Sequence, residues 1–321
     1  MTALRQFVIG GHMAGVPEGV EHAARSDAAT DDESALFSDV SEVLHGERTL
    51  WRATERIVSL AAPYVDEVCM GVPLTAGFDV EIVSRTVVRR AHDALSAVTA
   101  TVESQARASA RVHLRAMVED LIFVKWLIRL DEAVATEYVR HRARMEALQA
   151  VKAQQDFLPT AYQQLNTAAP RLGFREASDA LEQARNELAD LCQQQGWGRR
   201  GPSVKKMAEV GDLLPEYEFF YHLSSKSVHA NLHEMARMTW GNGRTGDISS
   251  NPFEGLHADL AVVYGTWVFD KILEVLSDRF DPVKTLISCE AYSVWLALIL
   301  VGPAGQGRLP LLIHPEELRT R

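Results

Sequence analysis

Cysteine is scarce in this chain. Three in 321 residues, Cys69, Cys192 and Cys289, are odd in number and far apart. That spacing supports neither a disulfide framework nor a metal site built on thiolates. It fits a reducing, cytoplasmic setting. Long apolar runs are lacking too. The longest, VWLALILV at 294–301, falls well short of the roughly 20 residues that span a bilayer, so it reads as a buried helix and no membrane association is expected. The N-terminal MTALRQFVIGGHMAG has one Arg and a very short apolar stretch, a poor match to a signal peptide. Positive charge is in deficit: 33 Lys and Arg against 43 Asp and Glu leave a net charge of −10. A broad nucleic-acid footprint needs a clustered positive surface, although a local basic pocket stays compatible with these totals. Period-2 alternation never lasts more than a few residues, and no repeat is visible. G-x-S-x-G is missing, and GNGRTG at 241–246 follows no strand, so it reads as a loop rather than a phosphate cradle.

Helical periodicity is what remains, and the expected class is all-α. Thr30 and Glu33 form a capping box for a first helix that should end near Pro63. Residues 63–78, with two Pro and two Gly, read as a connection. Asp79 should cap a second helix running to about Glu103. A third, about Ala108 to Arg129, is apolar over much of its circumference and is expected at the centre. A fourth, from Asp131 to about Gln155, is highly charged and expected on the surface, followed by a break over 156–173. Another covers about 175–195 and stops at Gly196, with a thin apolar stripe that suggests a protruding hairpin arm. Ser203 should cap a short helix at 204–210, and Pro215 should open the next. Two final helices are expected at about 256–279 and 282–300. The organisation expected is a multi-helix bundle with a long helical hairpin arm and a C-terminal helical pair: a flexible arm at 1–30, one helical domain at 31–302 and a tail at 303–321.

Polar groups gather in two places. On the third helix Arg111, Arg115 and Glu119 recur at i, i+4 and i+8, a charged line on an otherwise apolar element. Burying such charges is costly unless they are paired, so either a structural partner set or a ligand is implied. The stretch YHLSSKSVHANLH at 221–233 is the densest run of hydroxyls and imidazoles in the chain. Within it Tyr221, Ser225 and His229 fall on helical spacing, and His229 could exchange protons near neutral pH. His229 and His233 have the i, i+4 spacing of helical zinc ligands, but Ala230 stands where the zincin pattern needs Glu. Asp39, Glu42 and His45 make only a single copy of a di-iron-like trio. No metal and no cofactor is expected. RRGPSVKK at 199–206 is the one basic cluster, read as a solvated turn or an anion contact.

These residues resemble a known family. LRAMVEDLIFVKWLI (114–128) looks like the Arg-x-x-x-Glu helix of mostly bacterial helical proteins grouped as domain of unknown function 5677. PSVKKMAEVG with YEFFYHLSSKSVHAN (202–231) resembles that family's second block. The resemblance covers about 85–250 and carries over Arg115, Glu119, Tyr217, Tyr221, His229 and Ser225 or Ser224 as its polar positions. The helical build with a late His is also similar to HEPN domains, many of them ribonucleases of toxin–antitoxin and phage-defence systems. Those use Arg, four to six residues, then His; here 222–224 are His, Leu and Ser, and Lys226 is too near His229.

Two functions follow as expectations. One is a binding or scaffold protein whose Arg/Glu/Tyr/His pocket fixes helix register. The alternative is a HEPN-like, metal-independent ribonuclease in which His229 is the acid/base, Arg115 holds the phosphodiester and Glu119 orients either. Tyr221 and Ser225 complete the candidate site in both. An RNA partner, a protein partner or a homodimer is compatible with the sequence.

Overall fold

The computed structural model describes residues 49–72, 79–104, 107–164, 177–220, 254–305 and 310–311. All of these fall in the compact unit that begins at Arg48. Among them every regular element is helical: α1 (Thr49–Cys69), α2 (Val80–Val102), a 3-10 turn (Arg107–Ala110), α3 (Arg111–Leu127), α4 (Glu132–Gln164), α5 (Ala177–Gln194), α6 (Val204–Val210), a helical stretch at 214–220, α7 (Glu254–Leu276), α8 (Asp281–Ser288) and α9 (Glu290–Gly305). The all-α class and the multi-helix fold are as read from the sequence.

Local chemistry sets most boundaries. The Asp79 carboxylate accepts from the Ile82 N–H (3.0 Å) and opens α2. Asp131 does the same for Ala133 and Val134 ahead of α4. The Ser203 hydroxyl accepts from the Lys206 N–H (3.2 Å) at the start of α6. Helix α5 ends on Gly196 at φ +71°, with the Gly196 N–H donating to Gln193 O (3.0 Å) and the Trp197 N–H to Cys192 O (2.8 Å). That is the Schellman pattern, and Gly suits its left-handed position because no Cβ resists it.

Proline was the least reliable guide. Helix α1 continues through Pro63 to Cys69, and α4 continues through Pro159 to Gln164. Each proline removes one intrahelical bond and crowds the preceding turn. In α1 the turns on both sides are held by burial of Ile57, Ala61, Val65 and Val68. The expected final helix is in fact two. Cys289 is extended (φ −68°, ψ 131°), and α8 and α9 meet there at 65°. The bend lets α8 bury Val283 and Leu286 while α9 buries Tyr292, Trp295 and Ile299.

α3 packs against α2, α6, α7 and the 3-10 turn, and α1 packs against α2 and α7, so these four long helices (α1, α2, α3 and α7) make the centre. The expectation that α3 is central holds: Leu114, Met117, Leu121, Ile122, Val124 and Trp126 are all essentially inaccessible. α7 comes close enough to α2 and α3 that a side chain at Gly265 would meet Leu95 (3.3 Å) and Leu114 (3.4 Å). α8 and α9 lie on α1 and α7. The VWLALILV stretch is buried on one stripe only, and Val301 is 49% exposed. Among the described residues no single helix is long and apolar enough to cross a membrane; α8 and α9 reach that hydropathy only when joined across their bend.

α4 and α5 form the expected hairpin. Leu181, Ala184 and Leu188 of α5 are buried, as are Ala135, Tyr138 and Val139 of α4. Its base is an aromatic cluster: Trp126 of α3 meets Tyr138 edge-on at 5.1 Å, and Trp197 meets both at 5.2 and 5.6 Å.

Candidate functional site

α3 carries the first polar group of the site. Arg115 Nε donates to Glu119 Oε1 at 3.0 Å, and Nη2 lies 3.0 Å from the same oxygen. Their side chains are 21% and 40% exposed, so the pair sits at the edge of the core rather than in it. The order runs Arg to Glu toward the C-terminus, against the helix dipole, and an i, i+4 pair of this kind adds only about 0.3–0.5 kcal/mol. Arg111, one turn earlier, is buried at 3% exposure.

The second block meets α3 through α6, and the helical stretch at 214–220 that follows packs on α7. Arg129, just past α3, donates through Nη2 to Asp212 Oδ2 (2.7 Å) and through Nη1 to the Val210 carbonyl. Asp212 has φ +53°, and its neighbours make the same paired bonds seen after α5: Asp212 N–H to Glu209 O and Leu213 N–H to Ala208 O. Arg129 thus pins the one described non-glycine residue in left-handed backbone, and with it the turn from which the next helix starts. Phe220 then stacks on Trp267 (5.4 Å), and Phe219 and Phe220 meet Tyr264 edge-on (5.2 and 5.3 Å). This fixes the stretch leading into the polar run against α7. Tyr217 is half-buried there. Tyr221, Ser225 and His229 lie outside the described residues, as do Ser224, His233 and the Asp39, Glu42, His45 trio. Of the five site residues read from the sequence, Arg115 and Glu119 are therefore the two the structure places, and it brings them into direct contact.

A second polar group was not singled out from the sequence. α2, α3 and α4 enclose a half-open cleft of about 200 Å3. Its charged wall is Arg90, Asp120, Arg142 and Glu146; its apolar wall includes Val83, Val87, Phe123 and Val139. Asp120 Oδ2 is 3.1 Å from Arg90 Nε, with the Asp120 side chain 14% and the Arg90 side chain 57% exposed. Burial pushes the Asp120 carboxyl up to about 6, with the Glu119 charge adding to the effect and Arg90 opposing it. Arg142 Nε donates to Glu146 Oε1 (2.5 Å). The signal in the sequence was the helical environment of Asp120: Met117, Phe123 and Val124 share its face, so a carboxylate there is drawn into the protein.

Among the described residues no three His, Cys, Asp or Glu side chains converge to hold a metal ion. The three cysteines are free thiols, and burial pushes the Cys192 thiol up, away from a reactive thiolate.

No curated protein and no solved structure matches the chain. The stretch from the start of α2 to beyond the polar run, residues 81–246, matches one family along its length, so the Arg115–Glu119 helix and the second block are parts of one shared pattern. The chain belongs to the family of unknown function DUF5677.

Proposed function

We propose that this protein is a binding or scaffold protein, and that Arg115 and Glu119, joined by Tyr221, Ser225 and His229 of the second block, form a polar network that sets how that block docks on α3. The observation that carries this reading is the Arg115–Glu119 contact itself: two guanidinium nitrogens already engage the one carboxylate at the edge of the central helix. A pair in that order contributes too little on its own to account for two charges on so apolar an element, so a partner set within the protein is the simplest reason for it. The acidic total charge supports the same reading, since it disfavours a polyanionic substrate.

The test sets the network against catalysis. Arg115→Ala and His229→Ala are expected to lower the melting temperature by about 2–4 °C each, the effect of roughly 1 kcal/mol in a domain of this size. Expression of wild type and of both variants should leave growth and cellular RNA alike. If the wild type arrests growth and degrades RNA while both variants, still folded, do neither, the HEPN-like ribonuclease reading replaces this one, with His229 as acid/base, Arg115 on the phosphodiester and Glu119 orienting them.

A further inference from the structure

Stability does not account for the polar wall of the α2–α3–α4 cleft. Asp120 is withdrawn from water beside an open volume, and its ion pair with Arg90 fails to offset the burial. A carboxylate kept at such a cost in a cleft marks a position used when the cleft is filled. Charge and shape indicate what fills it. Arg90 on α2 and Arg142 on α4 line the same opening, and each engages its own carboxylate through Nε. The Tyr138 hydroxyl also lies beside Arg142. Both guanidinium groups border the opening, and a guanidinium is the side chain that binds a planar anion in bidentate fashion. Behind them Val83, Val87, Phe123 and Val139 offer an apolar wall. A dry cavity of about 150 Å3 holds benzene, so the volume here suits one ring or a short branched chain bearing a single carboxylate.

We propose that this cleft binds a small organic carboxylate with an apolar body, the anion held by Arg90 and Arg142, and that Asp120 takes up a proton from solvent as the ligand enters. The linkage follows from the groups that face Asp120. Arg90 from α2 stabilises its charge and Glu119 on α3 itself opposes it; Arg142 and Glu146 from α4 line the same cleft as an ion pair. α6 and α7, which also pack on α3, contribute no side chain to the cleft. An incoming carboxylate adds a further negative charge and competes for Arg90, so the neutral form of Asp120 is favoured. None of this uses Arg115 or His229, so it stands or falls apart from the polar network.

The experiment is calorimetric titration of the full chain with benzoate and with phenylacetate, and with benzamide as the neutral isostere, at about pH 5.5 and about pH 7.5, either side of the Asp120 titration. Saturable binding of a carboxylate at the lower pH is expected, weakening about 25-fold at the higher pH as the competent protonated fraction falls. Arg90→Gln, at an exposed position, should lose most of that affinity without unfolding. Asp120→Asn should bind at the higher pH as tightly as wild type does at the lower. Benzamide binding as well as benzoate, Arg90→Gln binding like wild type, or no saturation by either carboxylate would overturn the site. Carboxylate binding that ignores pH would overturn the role given to Asp120.

Discussion

Asp120 shows how far burial can move one side chain from its ordinary chemistry. Its carboxyl titrates near 6 in the folded chain against an ordinary value of 3.8. Below about pH 4 folded and unfolded chains both carry the proton, and the residue contributes no difference. Between about 4 and 6 the folded chain keeps a proton that the unfolded chain has released; above that, folding bears the full cost of a buried charge, on the order of 2–3 kcal/mol at most. Stability attributable to Asp120 therefore falls as pH rises through this window. Asp120→Asn, which cannot ionise, is expected to melt with wild type near pH 4 and several degrees above it near pH 7.5. Parallel melts across that range check the sign, and an equal offset at both ends would contradict it. Asp212 is a second residue whose conformation needs its neighbours: at φ +53° it depends on the Arg129 fork for support that glycine would not require.

Among elements, the α4–α5 arm is the one whose attachment depends on a few contacts. α4 touches the four-helix centre only lightly, through α2. What joins the arm to α3 is Tyr138 and Trp197 around Trp126, and the Schellman turn at Gly196 is what delivers Trp197 there. Gly201 completes that corner at φ +73°, where a Cβ would meet Cys192 Sγ at 3.3 Å. Trp197→Ala should destabilise the protein by about 2 kcal/mol, less than a fully buried tryptophan would because Trp197 is only half-buried. Amide exchange should rise in α4 and α5 well before α1, α2 and α3. Uniform acceleration across all helices would mean that the arm and the centre unfold as one. The ion pairs along the arm, Arg144–Glu187 and Arg142–Glu146, are too exposed to substitute for the aromatic contact.

At the scale of the whole molecule, charge decides which partners are plausible. With a net charge of −10, the chain as a whole disfavours the broad positive surface against which a phosphate backbone releases counterions. Fluorescence anisotropy with a labelled single-stranded RNA should show no saturable binding below about 100 μM at physiological salt. Tight, strongly salt-dependent binding would instead favour the ribonuclease alternative.

The all-helical class, the central place of α3, the caps at Asp79 and Ser203, the stop at Gly196 and the Arg115–Glu119 contact were all legible in the sequence. Each rests on an interaction within a few residues along the chain, where period, cap chemistry and i, i+4 spacing act directly. Three features were not: the passage of α1 and α4 through proline, the 65° break at Cys289 and the Asp120 cleft. The proline in α1 is tolerated because distant helices bury the turns around it, and the break follows from two helices seeking different parts of the α1–α7 surface. The cleft draws its four charged groups from α2, α3 and α4, separated by tens of residues, and Asp120 changes its titration only because those helices close over it. Local spacing set the elements; burial, which exists only once the helices pack, decided where charge became chemistry.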